Sequence, residues 1–520
     1  MIVEKIRFEK PAAWTAAPFV LAIVLTFFSL AAGQAQVKNP ARRIAGASAA
    51  AANSAAASNP NAATTEPAVA EQAPGVAPPA QINPRELGLR IPSEGPIRQG
   101  EGRRVKVAGP EGQPVVALVH VDVADERIVV MPDGRLRVFS ASKTTPTNDE
   151  FIPATQQELA ASLAAEFPGF KVKTTQHYVM VYNSSEEFYT GTSSILESMQ
   201  PGVQQFLKRL GLEVHEPLTP LAVIMFRTRR EFDALHRMPE EIAAYYDAVS
   251  NHVVLYEQTD LVERAPELAL RQAISTIAHE GVHQILHNNG VQQRLSRWPM
   301  WISEGLPEYL APTAIDLTSI RRTLKWKGAG TVNDLRMLAL DRHIKNDGAS
   351  RDDLVGRAVN ARELDSTGYA ISWALTHFLA LKHKAKFTRY LQAVSEIEPL
   401  AERGSTVVGK SGDGVEKFNE LFGTDHAKMS KELLGHLRKL PYKDPLANQT
   451  FYVVTMIVKQ GNSAQVSAGM TTSPGSVRQW QDEAREKLPA QLRPLSAFSV
   501  RTFPNKPLAQ AYLDSVLRGR

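Results

Sequence analysis

The segment "ISTIAHEGVHQILHNNG", Ile274 to Gly290, constrains the fold more than any other part of the chain. Ile274, Ile277, Ala278, Val282, Ile285 and Leu286 repeat at helical spacing, and Gly290 stands where such a helix should stop. In a helix of 3.6 residues per turn, residues i and i+4 share a face. His279 and His283 therefore point the same way, close enough to hold one ion, with Glu280 beside the first of them. The alternative is a helix that merely contains two histidines, so the rest of the chain has to supply a partner for them.

Composition limits what that partner can be. The 520 residues contain no cysteine, which excludes disulfides, iron–sulfur clusters, thiolate nucleophiles and Cys-ligated zinc. A metal must then be held by His, Asp or Glu. A catalytic zinc site takes three protein ligands and keeps one position open. The third ligand is expected from "RWPMWISEGLPEYLAP", where Glu304 and Glu308 share one face of a short helical stretch, Glu304 lying 21 residues after His283. His287 is two turns from His279, about 12 Å along the axis, too far for a three-histidine site. It reads as an ordinary polar residue or one that supports the ligands. A His2Glu donor set favours zinc and leaves manganese and cobalt open. Net charge is only +5, and short basic runs such as "RTRRE" lack interleaved aromatics, so no nucleic-acid partner is expected.

The chain is too long for one ordinary domain. Residues 1–35 read as an export segment: Lys5, Arg7 and Lys10 precede the uncharged "PAAWTAAPFVLAIVLTFFSLAAGQAQ". The small-residue pattern ending at Ala35 fits a cleaved signal peptide, and the length of the uncharged stretch fits a retained membrane anchor. Either way the bulk of the chain is expected outside the cytoplasm, secreted, periplasmic or tethered to the outer face of the membrane. Residues 36–84, rich in Ala, Pro and Ser, read as a disordered linker. Residues 85–150 carry alternating Val runs and a "PDG" turn, a small β-rich module forming a meander or a sandwich, with a structural or adaptor role. From 155 to 440 strands such as "FKVKTTQHYVMVYN", "PLAVIMF" and "NHVVLYE" come first and helices later, an α+β arrangement. Residues 446–520 suggest a small α+β C-terminal domain in the order β-β-α-β-α, with no evident chemistry.

"HEGVH" followed by "WISEGLPEY" resembles the gluzincin metallopeptidases, whose pattern is H-E-x-x-H, a gap of about twenty residues, and a glutamate often followed by glycine. The resemblance implies a zincin-like metallopeptidase domain, zinc (Zn2+) as the ion, and Glu304 as the third ligand. It implies that Glu308 orients a ligand histidine. It further implies that Glu280 acts as general base on a zinc-activated water and then protonates the leaving amine. In the aminopeptidase branch a tyrosine at a similar distance stabilises the oxyanion, which matches Tyr369; the competing reading is a core tyrosine packed beside Trp373. His377 and His383 read as structural or exposed. In this superfamily the strand before the metal helix pairs with the extended substrate, which matches "NHVVLYE" at 251–257. "YYDAVSNHVVLYE", "WISEGLPEYL" and "TGYAISWALTHFL" together look like an uncharacterised family of exported bacterial H-E-x-x-H proteins, a domain of unknown function within the peptidase superfamily, over roughly 165–390. Metzincins are excluded, since their glycine and histidine positions hold Leu286 and Asn289.

The expected activity is hydrolysis of a peptide or protein substrate by an exported zinc peptidase. The aminopeptidase signature G-x-M-E-N is absent, so endopeptidase action stays open. Two other functions compete: an envelope binding or scaffold protein that retains the fold, and a metal hydrolase of a non-peptide amide in the cell wall. The intact Glu280 disfavours the scaffold, which has no need for a carboxylate that ligates nothing.

Overall fold

The computed structural model describes residues 84–518 apart from 86, 110–111, 240–241, 259–265, 316–323, 347–352, 402–411, 443, 446–449 and 461–462. The export segment at 1–35 and the linker at 36–84, except Pro84, lie outside the described residues. Among the described residues no helix is long and apolar enough to cross a membrane.

The protein is mixed α and β. Strands β1 (Ile97–Gln99), β2 (Arg104–Ala108), β3 (Pro114–Val123), β4 (Glu126–Val130), β5 (Leu136–Ser140) and β6 (Thr145–Pro146) form one sheet in the order β5-β4-β3-β2-β6, with β1 also on β3. All its pairings are antiparallel, so the strands make a meander and not a two-sheet sandwich. β1 and β2 share one side of β3. The chain passes between them at Gly100, where a Cβ would overlap the carbonyl of Val119.

Helix α1 (Gln156–Glu166) leads into β7 (Lys171–Thr174), β8 (Tyr178–Tyr182), α2 (Glu186–Arg209), β9 (Leu221–Thr228), α3 (Arg229–Leu235), β10 (Ala244–Asp247) and β11 (His252–Gln258). Their sheet runs β10-β11-β9-β8-β7, parallel at its centre (β8, β9, β11) and antiparallel at both edges. The central strands are apolar on both sides because both faces are covered. Val181, Ile224 and Val254 face the side of α1 and α3. Tyr182, Val223, Met225 and Val253 face the helical core.

That core is built from α4 (Pro266–Asn288), α5 (Met300–Leu310), a short hairpin of β12 (Thr313–Ile315) and β13 (Leu324–Trp326), and the helices α6 (Asp334–Asn346), α7 (Leu354–Val359), α8 (Ser366–Lys382), α9 (Lys384–Ser395), α10 (Gly412–Phe422) and α11 (His426–Leu437). β14 (Phe451–Gln460), β15 (Ser463–Thr471), α12 (Pro474–Glu486), β16 (Ser496–Phe503) and α13 (Lys506–Leu517) complete the chain as a three-stranded antiparallel sheet with two helices. Their order is the β-β-α-β-α read from the sequence.

The predicted metal helix is α4. Its six periodic apolar residues are all buried, each contributing roughly 1.5–3 kcal/mol by full burial for the larger side chains. It ends at Asn288, and Gly290 follows with φ +81°, the left-handed conformation that stops a helix. α2 crosses it at Gly281, where a Cβ would come within 2.3 Å of Leu196 and 2.7 Å of Met199. The β1–β6 meander is tied to the loop after α4. Arg294 donates to the Gly134 carbonyl (2.7 Å), and His120 Nε2 bonds the Arg294 carbonyl (2.7 Å).

Candidate metal centre

α4 is held in rotation by amides. Gln284 Nε2 donates to the carbonyls of Ala222 (3.0 Å) and Asn251 (2.8 Å), the first on β9 and the second at the β10–β11 turn. Asn251 and Asn288 exchange side-chain bonds of 2.9 and 2.7 Å, and Tyr246 donates its hydroxyl to Asn251 at 2.8 Å. Buried amides of this kind are costly unless paired, so they select one helix orientation. In that orientation His279 and His283 meet Glu304 of α5, and Glu280 meets the Tyr246 N–H of β10.

α5 is buried along its whole length from Trp301 to Leu310. It lies against α8 at Gly305, where a Cβ would sit 2.4 Å from Thr376 Oγ1 and 2.6 Å from the Ser372 carbonyl. Only glycine allows this approach, which gives a physical reason for a glycine directly after Glu304.

The two elements bring three donor atoms together. His279 Nε2 lies 3.0 Å from His283 Nε2 and 3.1 Å from Glu304 Oε2, and His283 Nε2 lies 3.4 Å from the same oxygen. Two imidazole nitrogens and a carboxylate oxygen facing one another require a positive centre between them, a proton or a metal ion. Bonds of about 2.0 Å in a tetrahedral shell place neighbouring ligand atoms about 3.3 Å apart, so the triangle has the size of a site for a metal ion with bonds of that length. Among the described residues these three form the group of metal-binding side chains that could hold an ion. Glu304 Oε1 and Glu280 Oε1 are buried without hydrogen-bond partners. His283 is the most open of the set, its side chain 12% exposed against 2% for His279 and 1% for Glu304.

The electrostatics favour a cation. Burial works against a charged His279, but Glu304 and Glu308 outweigh it and push its imidazole up to about 10. Burial also opposes the Glu304 carboxylate, yet the two imidazoles hold it down at about 2. Glu308 Oε1 lies 3.0 Å from His279 Nδ1, a charge contact off the line of an ideal hydrogen bond. Burial opposes the Glu308 charge too; Arg336, at 2.5 Å, and His279 hold the carboxyl far below its ordinary range. Asn333 Nδ2 donates to the other oxygen at 2.9 Å.

Glu280 ligates nothing among these donors. Tyr246 N–H donates to its Oε2 at 2.7 Å. Burial raises its carboxyl above the usual glutamate range, against the pull of His279 and His283. Such a carboxylate is a stronger base than an exposed one. Tyr369, fully buried near the start of α8, has its ring centre 6.2 Å from that of His279, and burial pushes its phenol well above the ordinary value. It thus lies beside His279, a candidate ligand, and also within the core that includes Trp373.

One expectation is corrected. Residues 251–257 cannot offer a sheet edge, because β11 is flanked by β9 and β10. Beside β11 the sheet ends at β10, one of its two edge strands, and the Tyr246 N–H of β10 is the group that points to Glu280. The sequence reading missed it because β10 is four residues long and carries no alternation. His287 stacks on Tyr246 with ring centres 5.2 Å apart and bonds the Gln292 carbonyl through Nδ1 at 3.1 Å; burial lowers its imidazole to about 3. His377 lies away from the donors, bonded to His436 at 3.0 Å and to the Gly330 carbonyl at 3.3 Å, and His383 packs its ring on Phe378. Arg336 and Asn333 also escaped the sequence reading: one arginine and one asparagine in "TVNDLRMLAL" show no pattern that links them to a glutamate on another helix.

No curated protein matches the chain. Residues 273–401 match the model of a family described as a protein of unknown function (DUF1570). The matched stretch contains α5, α6, α8 and the part of α4 that carries the histidines, hence every candidate ligand and Tyr369, and begins after the five-stranded sheet that the sequence resemblance had included.

Proposed function

We propose that this chain is a zinc-dependent peptidase with a zincin-like fold, acting outside the cytoplasm. The observation that carries the reading is the triangle of His279 Nε2, His283 Nε2 and Glu304 Oε2 with edges of 3.0–3.4 Å, and beside it a buried Glu280 that ligates nothing. A zinc ion on these three groups would supply Lewis acidity and bring the pKa of a water toward about 7. Glu280 accepts the water's proton at Oε1, the oxygen without a partner, and passes it to the leaving amine. The Tyr246 N–H holds Oε2, so the carboxylate keeps one orientation through both transfers. Tyr369 donates its hydroxyl to the developing oxyanion. The edge strand β10 receives the extended peptide as an added strand.

The test is metal content of the full chain, wild type against the His279→Ala, His283→Ala double variant. One zinc per wild-type chain and none in the variant is the expected result. A folded wild type that takes up no zinc on reconstitution overturns the reading and leaves a binding protein. Digestion of a peptide library, with peptidoglycan fragments in parallel, separates a peptidase from a hydrolase of cell-wall amides. Replacing Tyr369 by Phe should lower kcat by about 10²-fold at unchanged zinc content and KM, the loss of one oxyanion donor. An unchanged kcat would return Tyr369 to core packing.

A further inference from the structure

Arg336 belongs to α6, which supplies no candidate ligand, yet it reaches two parts of the centre. Its side chain is buried. Nη2 donates to Glu308 Oε1 at 2.5 Å, and that oxygen is the one 3.0 Å from His279 Nδ1. The guanidinium carbon also stands 5.2 Å from the centre of the Tyr369 ring. Nη1 is buried and meets no hydrogen-bond acceptor, so an aromatic face within cation–π range is the stabilising neighbour for that part of the group.

We propose that Arg336 is a positioning residue that clamps both sides of the centre at once: Glu308, and through it His279, on one side, and Tyr369 on the other. Its consequence for turnover rests on the peptidase reading, whereas the clamp is a property of the chain itself. The chemistry requires arginine. A planar guanidinium can hold a carboxylate at its edge while its face lies near a ring, whereas a lysine ammonium can only pair with the carboxylate. Asn333 holds the second oxygen of Glu308, so a lysine at 336 would find the carboxylate still in place.

The experiment uses the full chain as wild type, Glu308→Gln, Arg336→Met, Arg336→Lys and the Glu308→Gln, Arg336→Met double variant. Zinc affinity is measured by competition with a chromophoric chelator, and urea unfolding is measured on chelator-stripped protein. Each of the first and second single variants should weaken zinc roughly 10–100-fold, the usual consequence of losing a group that orients a ligand. The double variant should be no worse than the worse single, in zinc affinity and in the urea midpoint, because removing both partners leaves no buried charge uncompensated. Arg336→Lys should keep zinc within about threefold, lower kcat about tenfold at constant KM, and be nearly silent in kcat when Tyr369 is already Phe.

Additive losses in the stripped protein would overturn the clamp and make Arg336 an independent core residue. A lysine variant with wild-type kcat would remove the Tyr369 side of it. If the wild type held no zinc while the stripped proteins still showed non-additivity, the zinc reading would fail and the clamp would stand.

Discussion

On the proposed mechanism Glu280→Gln should lower kcat/KM by about 10²–10⁴-fold and leave one zinc per chain, the loss expected when a general base goes and its surroundings remain. The two side chains have the same shape, and the amide oxygen still accepts the Tyr246 N–H that now bonds Oε2 at 2.7 Å. The donor triangle does not include Glu280, so the metal should be unaffected. What disappears is the basic lone pair on Oε1, the oxygen that no protein group occupies. Kinetics on a peptide found by library digestion, with zinc content measured on the same preparation, check both halves. A Glu280→Gln variant with wild-type turnover would exclude Glu280 as the base, and one that loses its zinc would make Glu280 part of the metal shell. The same variant separates enzyme from scaffold, since a binding protein should keep its affinity after the change.

Gly305→Ala destabilises the folded chain by about 3 kcal/mol, at the upper end of the range for an overpacked core, and lowers the first thermal transition by roughly 6–12 °C. The added Cβ would lie 2.4 Å from Thr376 Oγ1 and 2.6 Å from the Ser372 carbonyl, and the second of these is helix backbone that no rotamer change can move. α5 must then back away from α8. Glu304 is the preceding residue and moves with it, so zinc affinity should fall at least about tenfold alongside stability. Thermal unfolding and chelator competition on the same variant read the two effects. A variant with wild-type stability would show that the helices have slack between them, and the close approach would lose its role in placing Glu304.

Much of the centre was legible in one dimension because its key relations are local. His279 and His283 share a face through helical spacing alone, and the apolar residues of α4 fall where that period puts them. The stop at Gly290 needs only a residue that tolerates φ +81°. Glu304 was reachable through its 21-residue spacing from His283 and the family resemblance it supports. The sheet edge was misread for an equally local reason. "NHVVLYE" has the stronger strand pattern of the two, and a central strand buried on both faces is more apolar than the short edge strand beside it.

Covalent order and a fixed rise per residue were enough to set the helix and to put His279 and His283 on one face of it. Neither could show that β10 forms the sheet edge beside β11, that Tyr246 N–H holds Glu280, or that Arg336 stands behind Glu308 and beside Tyr369; these came from the folded chain alone. Such contacts join residues far apart in the chain. Arg336 is 28 residues from Glu308, and Tyr246 is 34 from Glu280. Their pairing depends on how whole helices and strands pack, and packing is settled by the sum of many buried contacts, which leaves no periodic trace at any one of the residues involved.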